Sequence, residues 1–130
     1  MLIMSLSIMS IVILGGNFAA LKASVLIFNE ISKSSNASKY EVTIVSPSEK
    51  WWYNPASPRM LVDAEMLKKA EFDLRLTLEK RANGAKFKII KGKAVNSDFT
   101  AQLVNVDLST GGSEVIDYDY LVVATCVAAA

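Results

Sequence analysis

The sequence predicts an α/β fold, a parallel sheet with crossover helices and an antiparallel three-stranded β-meander. Three observations predict it. The apolar run Ile11–Leu14 enters a Gly-Gly pair and then an amphipathic segment, which is how a buried parallel strand feeds a crossover helix. A second apolar strand, Tyr40–Val45, follows that segment. After Gly92 the pattern changes to apolar/polar alternation before the chain returns to an apolar strand, Tyr120–Thr125.

Each element has a local cause. From Phe18 the apolar residues Leu21, Val25, Leu26, Phe28 and Ile31 recur at helical spacing until "SKSSNASK" ends the pattern. Tyr40–Val45 closes at Ser46-Pro47, completing a strand, helix, strand unit whose crossover is expected to be right-handed. The segment "SPSEKWWYNPASPRM" holds all three prolines and both tryptophans and reads as an ordered loop. Asp63 is expected to cap a helix running to about Ala82, with Leu67, Ala70, Leu74 and Leu78 on one face and Glu65/Lys69 and Glu71/Arg75 paired four apart. Asn83-Gly84 stops it. Phe87–Ile90 is a third parallel strand, and Lys93–Val95, Leu103–Leu108 and Glu114–Tyr118 form the meander, with a turn at Thr110-Gly111-Gly112.

Size and composition bound the function. With 130 residues, 52% of them apolar, the chain is expected to form a single domain over residues 1–130. Fourteen basic residues stand interspersed among thirteen acidic ones, so there is no basic face for nucleic acid. There is no histidine and one cysteine, Cys126, which excludes histidine-based zinc sites and triads and any internal disulfide; no metal site is expected. Chemistry at this chain therefore points to a borrowed cofactor. The start "MLIMSLSIMSIVILGG" resembles the apolar region of a signal peptide, but no Lys or Arg precedes it and it runs straight into the Gly-Gly turn, which favours a strand. A cytoplasmic chain is expected, with membrane-associated or mitochondrial placement as the alternative. Asn36-Ala37-Ser38 fits a glycosylation sequon that matters only in a secreted chain.

The stretch "LGGNFAA", Leu14–Ala20, is where chemistry enters. A dinucleotide turn needs small residues at three places: to turn tightly out of the strand, to let backbone touch the pyrophosphate, and to pack helix on strand. Gly15, Asn17 and Ala20 occupy them. Asn17 is the departure, although asparagine visits left-handed conformations and its amide can donate to an oxygen. By itself the stretch also fits a plain strand-to-helix turn. An acidic residue expected at the end of the second strand is replaced by Ser46, with Glu49 as a substitute from the loop.

Three motifs in order carry a resemblance. "IVILGGNFAALKA" is similar to the opening of apoptosis-inducing-factor-like flavoproteins, relatives of the glutathione reductase group that move electrons from NAD(P)H through FAD. "WWYNPASPRML" resembles that family's Arg-bearing loop, and "IDYDYLVVATC" its last FAD-domain strand. The resemblance covers essentially the whole chain and implies a Rossmann-like FAD/NAD(P)-binding domain. It implies that Gly15, Gly16, Asn17, Phe18 and Ala20 form the pyrophosphate turn and that Ser46 lies near the adenosine ribose. It further implies that Arg59 faces FAD, that Val95 lends its backbone to the adenine, and that Ala124 and Thr125 pass beside the pyrophosphate. Each has a bland alternative: Ser46 as a turn initiator before Pro47, Arg59 as a solvated charge, Val95 as a meander core residue, Thr125 as a strand end. Trp51, Trp52 and Tyr53 read as packing anchors, with flavin or quinone stacking as the alternative.

The family pattern continues further than this chain. Cys126 stands where the family has glycine and reads as a replaced glycine, not a redox thiol. One turn fingerprint is present, not two, so the chain is expected to be truncated before the family's second dinucleotide domain, the one for NAD(P)H, and to lack full activity alone. The missing return segment is expected to leave a strand edge uncovered, a place for association. A non-catalytic nucleotide-binding module and an inactive fragment stay open as alternatives.

Overall fold

The computed structural model describes residues 8–34, 39–48, 50–52, 71–82 and 84–125. Its main sheet has six strands. Strand β1 (Met9–Leu14) leads into helix α1 (Phe18–Lys33), then strand β2 (Tyr40–Ser46). Two short strands, β3 (Lys50–Trp52) and β4 (Glu71–Asp73), pair with each other and precede helix α2 (Leu74–Arg81). Strands β5 (Lys86–Asp98), β6 (Leu103–Leu108), β7 (Ser113–Asp117) and β8 (Tyr120–Val123) complete the order β7-β6-β5-β2-β1-β8. The pairs β5–β2, β2–β1 and β1–β8 are parallel, and β5–β6 and β6–β7 antiparallel.

The parallel sheet is buried on both faces, which is why β1 and β2 read as continuous apolar runs. On one face Ile11, Ile13, Val42 and Ile44 pack against Leu21, Phe28 and Ile31 of α1 and Leu74 and Leu78 of α2. On the other, Val12, Leu14 and Val45 meet Val104, Val106 and Ile116, so the meander folds back over the sheet it springs from. One polar group inside is paired: the Ser24 hydroxyl donates to the Ala20 carbonyl at 2.8 Å.

Four expectations need correction. The buried stripe of α1 is Leu21, Ser24, Phe28 and Ile31, while Leu26 is 65% exposed. At 3.6 residues per turn Leu26 lies about 140° around the helix from Leu21, off the stripe that the sheet covers. Helix α2 starts at Leu74, because residues 71–73 pair with β3 and the Asp73 carboxylate accepts from the Leu76 N–H at 3.0 Å. Pairing and a strong N-cap override the weak helical preference of that segment, and Glu71 is not a helical neighbour of Arg75. Asp63, Leu67 and Ala70 lie outside the described residues, as do Tyr53 and the side chains of Trp51 and Trp52. Phe87–Ile90 and Lys93–Val95 belong to one strand: β5 pairs with β2 through Lys91 and with β6 from Gly92 onward, on opposite edges. Within the segment expected to be an ordered loop, Lys50–Trp52 is instead strand β3, held by its backbone pairing with β4.

Among the described residues β8 has a strand neighbour on one side only. Tyr120 and Val123 on it are 56% and 64% exposed. An unpaired apolar edge of this kind templates association. The chain is expected to self-associate as its concentration rises, and Val123→Lys to suppress this. Sedimentation velocity checks it; a monomer at high concentration for the unsubstituted chain would count against the edge.

Candidate functional site

The carboxyl ends of β1 and β8 meet at the point where the strand order reverses. From β1 the chain winds outward to β2 and β5, then returns to add β8 on the opposite side of β1. Loops leaving the two strands at such a switch point diverge and leave a crevice.

Gly15 opens the turn with φ +125°, a conformation that glycine reaches without a Cβ clash. Its N–H donates to the Val45 carbonyl at 2.8 Å, and the Ala124 N–H donates to the Leu14 carbonyl at 2.9 Å. The approach is close enough that a Cβ on Gly15 would lie 2.5 Å from the Ala124 carbonyl oxygen and 3.3 Å from the Thr125 nitrogen. Gly16 rests on the second strand instead: a Cβ there would run into the Ser46 side chain and lie 3.2 Å from Leu74 Cδ2. Ala20, at the third fingerprint position, is buried and seats α1 on the sheet.

Asn17 is extended, with φ −83° and ψ −174°, so its tolerance of the left-handed region is not used. It caps α1 through Oδ1, which accepts from the Ala20 N–H at 2.9 Å. Its Nδ2 donates to the Ala124 carbonyl at 2.8 Å, so the oxygen that the amide reaches is that of the β8 terminus. One side chain thus clasps the start of α1 to the end of β8. The N–H groups of Phe18 and Ala19 have no intrahelical partner by helix geometry, and no acidic residue stands in the first turn to offset the positive end of the dipole. The side chain of Phe18 is outside the described residues.

Ser46 lies beside this turn. It is buried, and its hydroxyl donates to the Ser48 carbonyl at 2.7 Å and accepts from the Ser48 N–H at 3.3 Å. Val95 stands four residues past the last parallel pair of β5, where the register with β6 shifts between Ala94 and Asn96. It is 53% exposed, which excludes the meander-core alternative for it. Thr125 is exposed, as a strand end beside the turn. Arg59, Glu49 and Cys126 lie outside the described residues. The structure therefore brings together Gly15, Gly16, Asn17, Ala20, Ser46, Ala124 and Thr125. Sequence reasoning missed one feature here, the Asn17 clasp.

Among the described residues no group of three or more His, Cys, Asp or Glu side chains is placed to hold a metal, and no helix is long and apolar enough to cross a membrane. An apolar groove of about 350 Å³ lined by Ile11, Leu26 and Tyr40 opens at the amino end of β1, away from the turn.

No protein-family model matches the chain. It is 29% identical over 115 residues to oxidoreductase ptaL of Pestalotiopsis fici, covering 88% of this chain and 30% of that protein. Among solved structures, NDH2 from Plasmodium falciparum in complex with RYL-552 superposes with a TM-score of 0.69 at 21% identity, over 91% of this chain and 22% of that one. The sulfide:quinone oxidoreductase of Aquifex aeolicus gives 0.65 at 23% identity, over 90% of this chain and 24% of that one. The fold is the Rossmann-like FAD/NAD(P)-binding fold. The chain spans less than a third of the length of each of these proteins.

Asn17→Gly restores the fingerprint glycine and tests what the side chain does. It is expected to lower stability by about 1 kcal/mol, because glycine is a tolerable cap but the bond to Ala124 is lost. Affinity for ADP is expected to rise, since the backbone becomes open to phosphate. Urea unfolding and an ADP titration read the two effects separately; a fall in affinity would show that the amide serves the ligand.

Proposed function

We propose that this chain is the FAD-binding portion of an apoptosis-inducing-factor-like NAD(P)H oxidoreductase and holds the adenosine–pyrophosphate half of FAD at the Gly15 turn. The observation that carries the reading is the position of that turn: Gly15 and Asn17 at the end of β1 abut Ala124 and Thr125 at the end of β8, at the switch point of the sheet. The residues fit the group. A glycine without room for a Cβ, a helix amino terminus without an acid, and an asparagine turned toward Ala124 leave backbone donors for an anion.

FAD, when bound, supplies the hydride and electron transfer. The chain's own residues bind and orient. In the turn Gly15, Gly16, Asn17, Phe18 and Ala20, Gly15 and Ala20 are the small residues that shape the approach while the Phe18 N–H, outside the helix ladder, points to the pyrophosphate, and Ser46 and Val95 flank the adenosine end. Ala124 and Thr125 form the opposite wall, and Arg59 suits a phosphate or a flavin carbonyl. NAD(P)H and an electron acceptor belong to the larger protein of which this is read as a part.

Titrating the purified chain with FAD, followed by flavin fluorescence and repeated in the presence of ADP, tests the reading. Saturable binding competed by ADP is expected. Absence of binding at high concentration would overturn it, and colourless protein that binds ADP but not FAD would favour a simple nucleotide-binding module.

A further inference from the structure

We propose that the apolar segment ahead of β1, "MLIMSLS" at positions 1–7, folds back and docks in the groove at the amino end of the sheet, where it covers Leu26. The segment lies outside the described residues; the groove that receives it does not. The inference is independent of the nucleotide reading, because the groove and the Gly15 turn lie at opposite ends of β1.

The groove is built where this segment joins the sheet. Helix α1 runs back from the turn, so Ile27 and Ile31 of its last two turns line the groove together with Ile11 of β1 and Tyr40, the first residue of β2. Leu26 stands at its lip and is 65% exposed. Glu30 is the charged residue of the lining, and it pairs with Lys33 at 3.7 Å in solvent, so the lining presents apolar surface with its one charge already engaged. At about 350 Å³ the groove offers roughly twice the space that accepts a benzene-sized group, room for about two aliphatic side chains.

Three properties select the segment as the occupant. Met1, Leu2, Ile3, Met4 and Leu6 are apolar and no residue of the segment is charged, so burial against an apolar floor is favourable and costs no ion its water. The unbranched methionines suit a groove of irregular shape. The segment is also within reach. Ile8, which joins it to β1, is 56% exposed, so the chain leaves the sheet at its surface. From Ile8 to Ile11 is about 10 Å along a strand, and seven residues span up to about 23 Å, so a reversal at Ser5 or Ser7 still lays Ile3 or Met4 on Leu26. Finally, so short a tether holds the segment at an effective concentration on the order of millimolar. A contact too weak to recruit a second copy of the chain from dilute solution therefore closes within one chain.

Thiol pairs in the full chain test the contact, with Cys126→Ser removing the one native cysteine. Ile3→Cys and Met4→Cys are each combined with Leu26→Cys and, as a control, with Val115→Cys, which is 59% exposed on the outermost strand β7. In a glutathione buffer at least one pair with Leu26→Cys is expected to close within the chain about tenfold more readily than its Val115→Cys counterpart. Equal closure of test and control pairs would overturn the proposal, and so would disulfide-linked dimers in place of closed monomers, which would give the groove to a second copy. Stability provides a second reading. Ile3→Asp is expected to lower the urea midpoint by about 0.5 M in the unsubstituted chain and to leave it unchanged in a Leu26→Asp chain. Equal falls in both would mean that the segment does not rest on Leu26. Phosphatidylcholine vesicles are expected not to retain the chain on sedimentation; retention that Ile3→Asp abolishes would assign the segment to a lipid surface and overturn the inference.

Discussion

Gly15→Ala is expected to destabilise the chain by about 3 kcal/mol and to abolish nucleotide binding. Two costs combine. The backbone at Gly15 has φ +125°, where a side chain is strained by about 1–3 kcal/mol. The new methyl group would also lie 2.5 Å from the Ala124 carbonyl oxygen and 2.9 Å from its carbon. Neither neighbour is the loose end of a side chain. Relief requires that β1 and β8 separate where Ala124 bonds to Leu14 and Asn17 bonds to Ala124, and these contacts shape the crevice. Urea unfolding and FAD titration of the variant check both effects. Unchanged stability would show that the two strand ends do not meet as described, and binding that survives a destabilised turn would move the ligand elsewhere.

The largest loss of stability alone is expected from Phe28→Ala, about 3–5 kcal/mol. Phe28 is fully buried at the centre of the α1 face, with its ring 5.7 Å from that of Phe87 and inclined at 48°. Truncation removes the contacts of α1 with the sheet at the middle of the helix and leaves a cavity that backbone on both sides keeps from collapsing. A small domain has a net stability of about 5–15 kcal/mol, so the variant is expected to be partly unfolded near body temperature. Phe28 is about three turns from Asn17, so ADP affinity measured in the cold on the folded fraction is expected to be unchanged. A loss under about 1 kcal/mol would mean that α1 is not seated on Ile13 and Ile44 in this way.

These two residues were legible in the sequence to different degrees. Phe28 was legible because helical periodicity is a local property: Leu21, Phe28 and Ile31 recur on one face whatever they pack against. Leu26 shows the limit, since an apolar residue within the same stretch points away from the sheet and is mostly exposed. Gly15 was legible as a turn. The resemblance of the third motif implied only that Ala124 lies beside the pyrophosphate, and its contact with Gly15 comes from the structure. The segment 71–73 was misread because its helical preference is weak and the strand that competes for it lies twenty residues away at Lys50–Trp52.

By itself the sequence determined the β1–α1–β2 unit, the meander, the closing strand β8 and the tight turn at Gly15, because hydrophobic period, glycine and capping residues act within a few positions of one another. The tertiary structure alone decided that Asn17 closes on a carbonyl 107 residues away, that Ser46 supports Gly16, and that Lys91 stands beside Ser46. Those neighbours are set by parallel register and by which face each strand buries, and register follows from the summed packing of the whole sheet, not from any local pattern.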